Sequence, residues 1–267
     1  AEVEPVDGAA LGRFLPAWQG VGLPRRGADG LVEVLSVLAG ASVPASVLET
    51  DVLPVRMADY HPADLDALCT SGDLVWLGAS PLGSTDGRVR LVFRDQVDLL
   101  VPEPDVEEQP EGPIHDAIRA HLGARGASFW AELVGAVAEA GADYDEASVL
   151  AALWDLVWAG EVTNDSLAPL RTFVSAANGR RSKAGSAPRA RPRPGRLSRL
   201  GPPTGAGRWS LVASLRGPLP GQAAPSGTEV AHAQAMSLLE RYGVLTREAA
   251  LGEGIVGGFA GVYPVLK

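Results

Sequence analysis

Lysine is almost missing from this chain: Lys183 and Lys267 are the only two among 267 residues. Neither follows a glycine. The phosphate loop G-x-x-x-x-G-K-[ST], whose lysine reaches the β- and γ-phosphates, is therefore excluded. Cysteine is nearly missing too, and a lone Cys69 rules out an internal disulfide and a cysteine zinc cage. It reads as a small buried residue. His61, His115, His121 and His232 are scattered, and the six-residue step from His115 to His121 does not fit shared metal ligation on a helix. Neither H-E-x-x-H nor G-x-S-x-G occurs. Gly252-Glu-Gly-Ile-Val-Gly-Gly258 is rich in glycine but follows no strand, so it does not fit a dinucleotide site. No run approaches the roughly 18–20 apolar residues of a membrane span. The start, Ala1-Glu2-Val3-Glu4, has neither a basic nor an apolar leader region. The expectation is a cytoplasmic protein with no membrane partner and no catalytic residue, metal or cofactor of its own in this chain.

What is present is charge, unevenly placed. The formal net charge is −9, yet eleven Lys or Arg and no Asp or Glu fall between Arg171 and Arg216. A basic segment on an acidic body can engage phosphates locally while the body stays soluble. Two stretches break the globular pattern. Residues 102–111 are acidic and Pro-rich and read as a linker; 176–207 are rich in Arg, Pro and Gly and read as a basic, extended linker. The chain accordingly divides into 1–101, 112–175 and 208–267.

In the first part, Leu31, Val34, Leu35 and Leu38 form an amphipathic stripe, with Asp29 as expected N-cap. A short helix is predicted from Pro44 to about Val52. A third opens at Pro62, carries Leu65, Leu68 and Cys69, and ends at Gly72. Leu74–Leu77 and Arg88–Phe93 read as strands around a Thr85–Gly87 turn. Three helices followed by a two-stranded ribbon is the winged-helix order. The second part repeats it: a helix from Pro113 with Ile114, Ile118 and Leu122, a helix capped by Ser128, and a third bearing Leu150, Leu153, Trp154 and Val157. Asp143 and Glu146 form its expected capping box, which also accounts for Asp145 beside them without a cation. Leu65, Leu68, Gly72, Asp73 and Leu74 superpose on Leu153, Leu156, Gly160, Glu161 and Val162, an internal repeat of about 88 residues. A third unit restarts at Thr228, with Gly243 as a stop, Thr246 as a cap and a further helix that would still be under way at Lys267. The fold class is mainly α with small β wings (α+β), a tandem of winged-helix modules, the last of them expected to be truncated.

The candidate DNA contacts are cationic. Arg180, Arg181, Lys183, Arg189, Arg191, Arg193, Arg196 and Arg199 could follow a phosphate backbone, or serve as a solvated spacer. Arg88 and Arg90 alternate with Val89 and Leu91 and so share the outer face of the first wing. Arg208, Arg247 beside the third unit's turn, and Lys267 on its last helix complete the set. Trp76, Trp154 and Trp158 read as core; Trp209 has no evident place.

Several strings carry a family resemblance. Arg13-Phe-Leu-Pro-Ala-Trp-Gln-Gly20, Asp51-Val-Leu-Pro-Val-Arg56, Gly207-Arg-Trp-Ser-Leu211, Glu240-Arg-Tyr-Gly-Val-Leu-Thr-Arg-Glu248 and Gly257-Gly-Phe-Ala-Gly-Val-Tyr-Pro-Val-Leu-Lys267 resemble the C-terminal half of large helicase-related (Lhr) proteins of bacteria. That resemblance implies a superfamily 2 helicase that moves 3′ to 5′ on DNA and is linked to repair. Its ATP- and magnesium-dependent motor would lie elsewhere in the same polypeptide. It also implies self-association, and a likeness to winged-helix arrays of DNA glycosylases, with no catalytic residue matched here. The leading expectation is a non-catalytic accessory region that binds DNA non-specifically and helps oligomerisation. The alternatives are a glycosylase-like region whose active site lies beyond Lys267 and a pure oligomerisation scaffold.

Overall fold

The computed structural model describes residues 7–103, 109–181, 201–217 and 223–267, with 176–181 described by their helical backbone alone. Helix α1 (Gly8–Trp18) precedes the first module. That module runs α2 (Gly27–Leu38), β1 (Val43–Pro44), α3 (Ala45–Val47, continued by a π turn over Leu48–Val52), α4 (Pro62–Ser71), β2 (Leu74–Leu82) and β3 (Asp86–Phe93). The helix faces follow the apolar spacing: Leu31, Val34, Leu35 and Leu38 of α2 are buried, as are Leu65 and Cys69 of α4. Gly72 ends α4 in the left-handed region at φ 84°, where a side chain would be strained. Two details differ from expectation. Asp29 lies inside the first turn of α2 and Arg26 is the N-cap. The wing turn is Gly83–Thr85, because Leu82 already pairs with Asp86.

The second module runs α6 (Pro113–Arg125), β4 (Ser128–Phe129), α7 (Trp130–Glu139), α8 (Glu146–Trp158) and β5 (Val162–Asn164), after a short α5 (Val97–Leu100). Its caps also differ. Ser128 is buried in β4, where its hydroxyl donates to the Gly126 carbonyl, so Phe129 stands at the N-cap of α7. Asp145, not Asp143, caps α8 by accepting from the Ser148 amide.

The larger correction concerns the basic segment. Helix α9 (Ala168–Arg181) follows β5, and β6 (Arg208–Leu211) then returns to pair antiparallel with both β5 and β4. The second sheet has the order β4-β6-β5, matching β1-β3-β2 in the first. Residues 165–207 therefore lie between the two strands of one wing and do not join two modules. The expected start of the third unit at 208 falls inside the second sheet. Trp209 fills the centre of that module, wholly buried, its indole N–H donating to the Gly205 carbonyl at 2.9 Å. Burying a side chain of this size contributes about 3 kcal/mol.

The two modules share one core. Strand β2 packs on α8 and β5: the Thr163 hydroxyl donates to the Trp76 carbonyl, and the Trp76 indole donates to the Ser166 carbonyl at 3.0 Å. The approach requires glycine. A Cβ on Gly78 would sit 1.9 Å from the Val157 carbonyl oxygen, and one on Gly87 would sit 2.3 Å from the Trp158 ring. The third unit is α10 (Gly227–Tyr242), α11 (Arg247–Gly252) and α12 (Phe259–Val262). A capping box of Ser226 with Glu229 starts α10, and Gly243 stops it at φ 70°. Thr246 caps α11. Arg241 on α10 is buried and caps α2, donating to the carbonyls of Val37 at 3.1 Å and Ala39 at 2.6 Å, while Glu253 holds its third edge at 2.7 Å.

Candidate nucleic-acid interface

A winged helix has two surfaces to offer DNA, its third helix and its wing. The third helices here are poorly suited. Helix α4 presents Asp64, Ala67, Thr70 and Ser71 to solvent and carries no cation. Its Asp66 accepts the Leu167 amide at 2.9 Å and an Arg171 N–H at 2.6 Å, so the start of α9 lies against this helix. On α8 only Glu146, Ala147, Ala151 and Asp155 are exposed. Its Trp154 stacks on Phe173 of α9 at 4.3 Å and donates to the Thr204 carbonyl at 3.1 Å. The insertion in the second wing thus packs on the Trp154 side of the second module's third helix, and the stripe left exposed carries two acids and no cation. Helix α12 carries Phe259, Ala260, Gly261 and Val262, again without a cation.

The wings are different. The registers Pro44↔Arg88 and Phe129↔Arg208 show that two arginines read separately from the sequence occupy equivalent rows of the two sheets. Both are exposed. Arg88 donates to the Ser42 carbonyl at 3.2 Å, and the Arg208 guanidinium lies 5.9 Å from the centre of the Phe129 ring. Arg90 does not join them. It donates to the Gly40 carbonyl at 2.6 Å and is half-buried beneath the α10–α11 corner, and burial lowers its pKa. The alternation that put Arg90 on the outer strand face holds; the third unit covers that part of the face.

Arg247 is exposed at the first residue of α11, and the Lys267 ammonium lies 5.0 Å from the Tyr263 ring centre. Arg180 and Arg181 lie in the last turn of α9. Lys183, Arg189, Arg191, Arg193, Arg196 and Arg199 lie outside the described residues. Both ends of the acid-free run are structural clamps. Arg171 bridges Glu49 at 2.5 Å and Asp66 at 2.6 Å, with Tyr60 also donating to Glu49; burial and the Glu49 carboxylate push the Tyr60 pKa up. Arg216 donates to the Pro102 carbonyl at 2.7 Å. Phe129 is the contact that sequence reasoning missed: nothing in the periodicity marks a two-residue strand.

Two family models match the chain. Residues 6–94 and residues 224–267 each match a model described as a large helicase-related protein, winged-helix domain. The chain is a winged-helix region of the large helicase-related family. An Lhr helicase/probable uracil glycosylase of Mycolicibacterium smegmatis is 41% identical over all of the chain, which spans 17% of that protein. An Lhr helicase/uracil glycosylase of Escherichia coli K12 is 34% identical over 90% of the chain, which spans 16% of it. Among the described residues, no helix of this Lhr region is long and apolar enough to cross a membrane.

Proposed function

We propose that this chain is a non-catalytic accessory region of an ATP-dependent 3′-to-5′ DNA helicase of DNA repair, acting in the cytoplasm and supplying non-specific DNA binding and self-association. ATP and magnesium would be used by the motor of the same polypeptide. The observation that carries the reading is the basic run: of its eleven cations without an acid, nine fall within residues 165–207, between the two strands of one wing. Each phosphate neutralised by such a segment releases condensed counterion, giving affinity without sequence preference. Self-association is supported by exposed apolar side chains, above all Leu251 at 77% and Val256 at 79%.

The relatives' names add uracil glycosylase. Four enclosed carboxylates described here are committed to structure: Glu49 and Asp66 to Arg171, Glu161 to Arg119 and Glu253 to Arg241. That favours an accessory role for this region. Light scattering of the 267-residue chain across salt concentrations, with and without single-stranded DNA, tests the proposal. A DNA complex that dissolves as salt rises is expected. A salt-resistant oligomer indifferent to DNA would leave only a scaffold.

A further inference from the structure

The outer face of the second sheet carries an aromatic ring that folding does not explain. Facing residues of an antiparallel ladder share a side and alternate along the strand. Ser128, Trp209 and Asn164 occupy one row and are buried, so the neighbouring row, Phe129 and Arg208, points outward. Phe129 is 55% exposed, and the Arg208 guanidinium lies on its ring side, 5.9 Å from the ring centre. Leaving most of a phenylalanine in water forgoes much of the stabilisation that its burial would contribute. The two carboxylates beside the row are already engaged. Glu132 accepts the Phe129 amide at 2.7 Å, and Asp165 accepts the Arg208 amide at 3.0 Å. The equivalent row of the first wing has the arginine, Arg88, but Pro44 in place of the ring.

Building on the DNA-binding reading above, we propose that Phe129 and Arg208 form a stacking platform for one unpaired base of single-stranded nucleic acid. Arg208 also meets the adjacent phosphate. A π face is offered by every base but is accessible only outside a duplex, so the platform takes single strands without reading sequence. Arg208 belongs to the acid-free run, and that charge complementarity selects a polyanion over a protein surface.

The test is anisotropy of a labelled oligothymidylate, single-stranded and as a duplex, with the wild-type 267-residue chain and with Phe129→Ala, Phe129→Trp and Arg208→Gln. Phe129→Ala should weaken single-strand binding at least about 5-fold, the low end of one lost stacking contact. Its thermal midpoint, duplex affinity and salt slope should stay unchanged. Phe129→Trp should restore or exceed wild-type binding. Arg208→Gln should weaken both forms and lower the salt slope by about one contact. Unchanged single-strand binding by Phe129→Ala overturns the platform and leaves the DNA-binding reading standing. Equal loss on single strand and duplex, or loss of self-association alone, overturns it as well. A wild-type chain that binds neither form overturns the underlying reading.

Discussion

The first and second modules have the same order of helices and strands and opposite wings. In the first, Gly83–Thr85 closes β2 onto β3, and the third helix keeps an exposed acidic face. In the second, residues 165–207 separate β5 from β6, and part of that insertion folds back over the third helix. The difference shows how a repeated unit takes on a new surface without losing its core. A wing tip tolerates long insertions because loop-closure entropy grows only slowly with length. A helix that leaves the wing can bury apolar surface on its own module, as Phe173 does against Trp154 and Trp158. The second module packs one side of its third helix against the insertion and carries nine of the run's eleven cations between its wing strands. The first keeps a short wing with a single exposed arginine, Arg88, facing outward.

The shared core makes the two modules one unit, and breaking it has the largest expected effect. Gly78→Ala would place a Cβ against the Val157 carbonyl, a backbone group that cannot swing aside. A loss of about 3 kcal/mol or more is expected in urea unfolding, with both modules melting together. Two separate transitions would show that the modules are independent.

Next comes the clamp between α9 and the first module. Arg171→Ala strands Glu49 and Asp66, whose partner it is. We expect roughly 2 kcal/mol lost, since the site is partly open to water. Arg88→Ala, in the exposed row, should leave stability within about 0.5 kcal/mol. Equal effects would remove the distinction between clamps and contacts.

A smaller effect separates the third helices. Cys69 on α4 falls, by the repeat, where α8 carries Val157. Burial pushes the Cys69 thiol up to about 12 from 9.0. A raised folded pKa means that stability is complete below pH 9 and falls as pH climbs toward 12, because the unfolded thiol ionises first. Tyr242, raised by burial and by Glu253 from 10.0 to about 12, adds to the same alkaline loss. The Cys69 part should be on the order of 1–2 kcal/mol at pH 10. Cys69→Val should flatten the stability profile from pH 9 to 11; an unchanged profile would place the titration elsewhere.

Much of this architecture is legible in the sequence, where the signal is local. The stripes of α2, α4 and α8, the glycine stop after α4 and the cap of α11 follow from spacing within a few residues. What escaped depends on distant chain. β6 is four residues long, and its partners β5 and β4 are shorter still, too short for a period to show. A tryptophan beside an arginine, Trp209 after Arg208, was the visible trace of a core strand. The strand alternation points Arg90 outward and cannot reveal its cover, the α10–α11 corner, which comes from more than 140 residues further on. Asp29, Asp143 and Ser128 fit the cap pattern without being the caps, since several adjacent residues satisfy it and only the backbone path chooses among them.

The central claim, that DNA contact runs through the second wing, is tested most directly by the salt dependence of single-strand binding. The comparison is between the wild-type chain and one in which Arg180, Arg181, Lys183, Arg189, Arg191, Arg193, Arg196 and Arg199 are serine. Single strands lose affinity with a log–log slope of about −0.7 per phosphate neutralised. We expect a steep slope for the wild type and at most half of it for the variant, with unchanged thermal stability. Identical slopes and affinities would contradict the account and make the insertion a spacer.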